Sequence, residues 1–245
     1  MDSHGRKIIG LLGLIGLLGF FLLGCEVIGE NERLIEVPLP VDTTGRRHML
    51  IEFTGFRCVN CPKATEVATT LQETYGERLI VVSMHPASNP FTQGKYDYTC
   101  PAADIYYQYM GGTATTPFPT GNIDFEPSGE NWLHDFSEWP TLVAQQMALP
   151  LQNKAARRLT WLVEDSVPGV QAMPDGSVNT EYIHRHLLRG AIGDPWGEET
   201  DNNTLPDTLP RPLIIPEGCD SNHCSVVYVL IDENNIIINA NEVKL

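Results

Sequence analysis

The most informative stretch of this sequence is His48-Met-Leu-Ile-Glu-Phe-Thr-Gly-Phe-Arg-Cys58-Val-Asn-Cys61-Pro62. An apolar run ends at Thr54-Gly55, a turn brings in the two cysteines, and a helical pattern begins at Pro62. The stretch therefore predicts a strand, a CxxC motif and a helix start, in that order. Pro62 suits the first helical turn, because the N–H group that proline lacks would have had no partner there.

This order of elements is the one that thiol–disulfide chemistry needs. A helix N-terminus presents unpaired N–H groups and the positive end of the helix dipole, and both stabilise a thiolate. We expect Cys58 to attack a disulfide and Cys61, one turn away, to resolve the mixed disulfide that results. Arg57 adds a neighbouring positive charge that would tune the thiolate.

The residues after Pro62 predict an α/β fold. Apolar residues at helical spacing continue the helix to about Tyr75, and Gly76 stops it. The uniformly apolar run from Leu79 to Met84 is typical of a buried strand in a parallel sheet, so this part of the chain forms a βαβ unit. Two further helices, each with a proline near its start, are predicted over residues 100–109 and 139–149.

The N-terminus reads as a targeting segment. Two basic residues precede an apolar run, Ile8 to Gly24, as in a secretory signal. The run ends at Leu22-Leu23-Gly24-Cys25, which resembles the lipobox of bacterial lipoproteins, in which cleavage before the cysteine leaves it lipidated. An uncleaved membrane anchor is the alternative, because the apolar run of 17 residues is at the short end for a membrane span. We favour lipidation at Cys25.

Charge and length limit the possible functions. The chain has 16 basic and 31 acidic residues, which gives a formal charge of −15 and argues against a polybasic nucleic-acid groove or attraction to anionic lipid. We expect no nucleic-acid partner, and membrane attachment only through the lipid on Cys25. The 245 residues are enough for two ordinary domains.

The remaining cysteines predict disulfides. An exported protein sees an oxidising compartment, where cysteines normally pair. Cys58 with Cys61 and Cys219 with Cys224 are the obvious local pairs, and Cys100 is left over.

Two histidine-containing segments are candidate metal sites. Cys219, His223 and Cys224 could bind a metal, but a structural Cys219–Cys224 disulfide is favoured in an oxidising compartment. His184 and His186, interpreted as helical, would point to different sides of the helix. We therefore predict neither a metal site nor a cofactor.

Later motifs give the sequence a family resemblance. Phe118-Pro119-Thr120 is similar to the cis-proline element of thioredoxin-like folds, which packs against the CxxC and aligns a substrate strand; an ordinary trans proline is the alternative. Together the motifs make the chain resemble the outer membrane protein 28-related, thioredoxin-like lipoproteins of Bacteroidetes-type bacteria. The segments that carry the resemblance are Phe53–Pro62, Val81–His85, Phe118–Asp124, Val163–Gln171, Tyr182–Arg189, Trp196–Glu198 and Asn239–Leu245.

The resemblance implies a lipid-anchored, exported protein of the cell envelope, with the outer membrane as its expected location, facing the periplasm or the cell surface. It implies a signal peptide (1–24), an acidic tether (25–45), a thioredoxin-like domain (46–150) and a small β-rich domain (151–245). Within the last segment, strands are predicted only over residues 159–164, 225–232 and 236–243. The chain departs from thioredoxins proper at Arg57, where they have tryptophan.

Two functional hypotheses follow. The first is thiol–disulfide exchange through Cys58 and Cys61, with Pro119 aligning the substrate and with envelope proteins that carry thiols or disulfides as partners. The second is a non-catalytic lipoprotein, in which the Cys58–Cys61 disulfide is a structural staple and the β-rich half binds a partner.

Overall fold

The computed structural model describes residues 45–149, 154–200, 203–206 and 213–245. The predicted signal peptide, Cys25 and all of the predicted tether except residue 45 lie outside these described residues. Within the described ranges, no helix is long and apolar enough to cross a membrane.

The described α-helices and β-strands begin with the β-α-β order that the sequence predicts. In chain order they are β1 (His48–Phe53), α1 (Cys61–Tyr75), β2 (Leu79–Met84), α2 (Pro101–Tyr109), β3 (Thr120–Ile123), α3 (Trp139–Met147), β4 (Arg157–Glu164), β5 (Val167–Ala172), β6 (Val178–His184), β7 (Leu187–Ala191), β8 (Glu198–Glu199), β9 (Cys224–Ile231) and β10 (Ile237–Lys244). Each of the three α-helices within the described residues has a proline in its first turn, as the sequence predicts.

Most strands of the described residues join one mixed sheet with the order β10-β9-β4-β7-β2-β1-β3, and β8 pairs with β4. β1 and β2 pair in parallel, and so do β2 and β7, whereas the other neighbours are antiparallel. The sheet therefore takes strands from both predicted domains, 46–150 and 151–245. The boundary between those domains stays a prediction.

Alternation along β1 explains how helices cover both faces of the sheet. Met49, Ile51 and Phe53 lie in one apolar cluster with α2, and Leu50 lies in the other with α1 and α3. All six residues of β1 are buried, because both faces are covered.

The C-terminal half contains more strands than the sequence predicts. β5, β6, β7 and β8 were not expected, and the interpretation of His184 and His186 as helical is wrong. His184 ends β6, and His186 lies in the turn before β7 with a left-handed φ of 54°, which a helix cannot contain. β5 and β6 form a separate two-stranded sheet, hereafter the β5–β6 hairpin. β6 is mostly exposed and polar, so it lacks the apolar run that is typical of a buried strand.

A buried carboxylate connects the start of β1 with the end of β3 and the start of β10. Asp124 is fully buried, and its carboxylate accepts hydrogen bonds from Arg46 Nη2 (3.2 Å), His48 Nδ1 (2.6 Å) and the Met49 backbone N–H (2.7 Å). Its backbone carbonyl accepts a hydrogen bond from the Ile237 N–H at 2.7 Å. One residue thus connects three strands that are far apart in sequence.

We expect Asp124→Asn to lower the free energy of unfolding by about 3–5 kcal/mol, because it removes one charge from a buried, hydrogen-bonded group of ions. Urea denaturation followed by circular dichroism would measure the loss. Glu77→Gln is the matched control, since the Glu77 side chain is 91% exposed in its ion pair with Arg47 and should change stability little. Equal effects of the two changes would contradict the role given to Asp124.

Candidate functional site

The CxxC motif forms a disulfide at the N-terminus of α1. Cys58 and Cys61 are bonded, with their Cα atoms 5.4 Å apart, and Cys61 and Pro62 begin the helix. Asn60 is the N-cap residue but makes no side-chain capping hydrogen bond. Each cysteine is only 1% exposed, whereas Val59 between them is 44% exposed. A partner protein can therefore contact the loop directly, but a sulfur atom becomes reachable only when the loop or its neighbours move.

Pro119 lies at the same end of the sheet. The Phe118–Pro119 peptide bond is cis, and Thr120 pairs with Phe53, the last residue of β1. The Phe118 ring stacks on Phe91, with ring centroids 5.9 Å apart. The cis conformation agrees with the sequence prediction, and the substrate-aligning role of Pro119 remains a prediction.

Arg57 is held on the surface beside the motif. Its backbone N–H donates to the Phe91 carbonyl at 3.0 Å, and its guanidinium donates to the Pro90 and Gln93 carbonyls at 3.4 and 3.3 Å. Gly55 permits this close approach, because a Cβ atom there would lie 2.6 Å from the Phe91 oxygen. The guanidinium is thus partly engaged by carbonyls, and its effect on the thiolate stays a prediction.

Sequence reasoning missed Glu52, a carboxyl group on β1. Glu52 is 1% exposed, and its carboxyl oxygens accept hydrogen bonds from Ser83 Oγ (2.9 Å) and Thr65 Oγ1 (3.2 Å). Burial raises the pKa of Glu52 to about 7, although the two hydrogen bonds oppose the rise. The available signal was a carboxylate inside an otherwise apolar strand, six residues before Cys58.

A small cavity lies behind the disulfide, with room for about one water molecule. Cys61 lines it together with Thr65 and Ser83, the two hydroxyl residues that bind Glu52. The β5–β6 hairpin supplies Gln171, Tyr182 and His184 from the other side. Two parts of the chain far apart in sequence therefore enclose this cavity.

Two buried histidines line the same cavity. His85 follows β2, and its ring centroid lies 5.7 Å from that of His184. Burial lowers the pKa of His85 to about 3, with His184 and Arg189 adding to the effect, and burial lowers the pKa of His184 to about 4. Both imidazoles are therefore neutral near pH 7. Among the described residues, His85 Nδ1 and His184 Nε2 have no hydrogen-bond partner.

The predicted Cys219–Cys224 disulfide is not formed, and both residues are free thiols. Cys219 Sγ instead accepts a hydrogen bond from Arg189 Nε at 2.9 Å, and the 3₁₀ turn Ser221–His223 separates it from Cys224, which begins β9. Burial raises the pKa of both thiols, that of Cys224 to about 11. Both side chains are thus protonated near pH 7.

Cys100 is also a free, buried thiol, and burial raises its pKa to about 11. This places it with the buried and inert thiols. Across the described ranges, no group of three or more His, Cys, Asp or Glu side chains could hold a metal ion.

Comparisons with known proteins identify the fold. No protein-family model matches the chain, and no curated protein does. The solved structure of HBP35 of Porphyromonas gingivalis is similar, with a TM-score of 0.56 and 15% sequence identity over 82% of this chain and 75% of that chain. A structure from Agrobacterium tumefaciens has a TM-score of 0.43 and 8% identity over 80% of this chain and 93% of that chain, which is too low to support an argument. The chain has a thioredoxin-like α/β fold with its disulfide at a helix start.

The raised pKa of Glu52 predicts a stability that depends on pH. Its folded-state pKa of about 7 lies above its ordinary value of 4.5. Between these values the folded protein binds more protons than the unfolded chain, so stability is lost as the pH rises through this window, by about 3 kcal/mol for a rise of this size. Glu52→Gln cannot ionise and should lose less stability than the wild type between pH 4 and pH 8.

Urea denaturation of both proteins at pH 4 and pH 8 would check this expectation. Glu66→Gln, which alters an exposed carboxyl group on α1, is the control and should follow the wild type. A pH dependence identical in the wild type and in Glu52→Gln would contradict the raised pKa.

Proposed function

We propose that this protein is a thiol–disulfide oxidoreductase of the cell envelope that acts through Cys58 and Cys61. The observation that carries the proposal is the Cys58–Cys61 disulfide at the N-terminus of α1, within a thioredoxin-like fold. In that position, the helix N-terminus would favour the thiolate form of the attacking cysteine. Proteins with thiols or disulfides are the expected partners.

The exchange proceeds in two steps. A thiolate of a reduced partner attacks Cys58 Sγ, the Cys58–Cys61 bond breaks, and Cys61 leaves as a thiolate that takes up a proton. The partner's second thiolate then attacks its own sulfur in the mixed disulfide, which releases Cys58 as a thiolate and leaves a disulfide in the partner. The partner loses two electrons and this protein gains them, and the reverse sequence reduces a partner disulfide.

The carboxyl group of Glu52 is suited to supply the proton that the Cys61 thiolate takes up. A group with a pKa of about 7 exchanges protons readily near neutral pH. Thr65 and Ser83, which donate hydrogen bonds to Glu52, line the same cavity as Cys61. A water molecule in that cavity would connect the leaving sulfur with Glu52 through the hydroxyl group of Thr65 or Ser83.

The second candidate is a non-catalytic lipoprotein whose disulfide is a structural staple and whose β-rich half binds a partner. One observation favours it, which is that both cysteines are 1% exposed. A buried disulfide is protected from exchange unless its surroundings open. The reduction potential separates the two candidates.

We further propose that the protein belongs to the outer membrane protein 28-related lipoproteins and is held in the envelope by lipid on Cys25. The support is the set of sequence segments that resemble that family, together with the lipobox-like Leu22-Leu23-Gly24-Cys25. The structural likeness to HBP35 agrees with a thioredoxin-like member. The outer membrane is the proposed location.

The redox proposal predicts a reduction potential between about −120 and −270 mV for the Cys58–Cys61 pair, the range of working oxidoreductases. A version of the chain that begins at residue 26 would be equilibrated in graded thiol buffers, and each cysteine trapped by differential alkylation and mass spectrometry. Cys58→Ser should abolish turnover of a disulfide substrate, whereas Cys219→Ser should preserve it. A potential below about −300 mV would instead favour the structural staple.

The anchoring proposal predicts that the mature protein begins at an acylated Cys25 and enters the detergent phase when expressing bacterial cells are extracted with a phase-separating detergent. The reason is that the acyl chains supply the apolar area that holds the mature chain in a bilayer. Cys219→Ser is the control and should stay in the detergent phase. Mass spectrometry of the N-terminal peptide checks where the mature protein begins, because a wild-type protein that enters the detergent phase but retains residues 1–24 would indicate an uncleaved anchor at Ile8 to Gly24.

A further inference from the structure

The β5–β6 hairpin makes a direct backbone connection to the CxxC loop. The Ala172 N–H donates to the Phe56 carbonyl at 2.8 Å, so the end of β5 runs beside the residues that lead into the motif. The Val170 N–H donates to Tyr98 Oη at 3.3 Å, on a second side of the hairpin. Gly169 permits this packing, because a Cβ atom there would lie 2.0 Å from Tyr98 Oη. These two hydrogen bonds therefore fix the position of β5.

Gln171 extends this connection into the motif itself. Its side-chain Nε2 donates to the Cys58 carbonyl at 2.8 Å, and the Ala172 and Gly55 carbonyls lie 3.1 and 3.4 Å from it. The residue is 2% exposed. The other donor to the Cys58 carbonyl is the Cys61 N–H, at a longer 3.3 Å. The shorter of these two hydrogen bonds to the Cys58 carbonyl thus comes from a residue 113 positions further along the chain.

We propose that Gln171 is a positioning residue for thiol–disulfide exchange, whose side-chain amide holds the Cys58 carbonyl and the Gly55–Cys58 turn in the geometry from which Cys58 reacts. The inference rests on the proposed function, because it concerns the same pair of cysteines. It assigns a role to the Val163–Gln171 segment, which carries part of the family resemblance and lies outside the CxxC region of the sequence.

The physical effect is electrostatic as well as geometric. A backbone carbonyl presents its negative end to its surroundings, and in a buried site an N–H donor that binds it offsets part of that negative charge. Without the Gln171 donor, only the weaker hydrogen bond from the Cys61 N–H would offset the negative end of the Cys58 carbonyl, and the thiolate form of Cys58 would be less stable. A less stable thiolate makes the reduced state less stable, so the disulfide would become harder to reduce.

The test is the pH profile of Cys58 alkylation in the reduced protein, measured by mass spectrometry with iodoacetamide. Gln171→Met keeps the length of the side chain and removes the donor. We expect its midpoint to lie about 0.5–1 pH unit above that of the wild type, which makes alkylation at pH values below both midpoints about three- to tenfold slower. Its reduction potential should move to a more negative value.

Gln171→Glu keeps the shape of the side chain but turns a carboxylate towards the Cys58 carbonyl, so its midpoint should rise further. It also carries the test alone if Gln171→Met fails to fold in a urea titration. Gln146→Met is the matched control, because Gln146 Nε2 donates a comparable hydrogen bond to Glu126 Oε2 at 2.7 Å, and its midpoint should equal that of the wild type.

The pH midpoint and the plateau rate of Cys58 alkylation distinguish a positioning role of Gln171 from a role in which it only shields the sulfur. A higher plateau rate with an unchanged midpoint would mean that Gln171 only shields Cys58, and would overturn the proposal. Midpoints that shift equally in the Gln171 and Gln146 variants would overturn it too. Failure of the wild-type protein to turn over any disulfide would refute the proposed function, whereas the midpoint shift would still report whether Gln171 stabilises the thiolate.

Discussion

A short parallel junction between β2 and β7 determines how the two halves of the sheet meet. Ser83 pairs with Leu187, and the Ser83 N–H donates to the His186 carbonyl at 2.7 Å. β1 and β2 run in parallel, so the CxxC follows β1 at the edge of the sheet where β2 ends. β4 ends and β7 begins at this same edge, since Glu164 pairs with Leu187. The β5–β6 hairpin, which connects them, therefore emerges beside the disulfide.

This arrangement encloses the disulfide among polar groups that carry little charge. Between about pH 4 and pH 7, Glu52 is mostly protonated, and His85 and His184 are mostly neutral. Arg185 at the cavity lies 3.8 Å from the carboxylate of Asp165. A negative charge that develops on sulfur would thus be stabilised mainly by dipoles, those of the α1 N-terminus and of bound N–H groups. Such dipoles are fixed by the fold and need no rearrangement during a reaction.

The sequence predicts the N-terminal half of the fold well, because its signals are local. An apolar strand, a CxxC, a proline in the first turn and a helical stripe all lie within about thirty residues, and the structure confirms each of them. The C-terminal half is harder to predict. The β6 strand is exposed and polar, and the turn at His186 depends on tertiary contacts. Glu52 and Gln171 are not predicted from the sequence. The importance of Glu52 arises from its burial, and that of Gln171 arises from a contact between distant segments. The free Cys219 thiol is missed for a related reason, since its hydrogen bond from Arg189 joins segments 30 residues apart.

The buried Asp124 has a consequence for how the chain is made. It joins Arg46 and His48, at the start of β1, to Ile237, at the start of β10, and the Arg46 side chain also reaches the Ile237 carbonyl at 3.0 Å across 191 residues of sequence. Ribosomes add about 5–20 residues per second, so about 10–40 seconds pass between the synthesis of β1 and the synthesis of Ile237. During that interval the arginine and the aspartate must stay solvated or pair with each other alone. The native sheet can therefore be completed only after nearly the whole chain has left the ribosome.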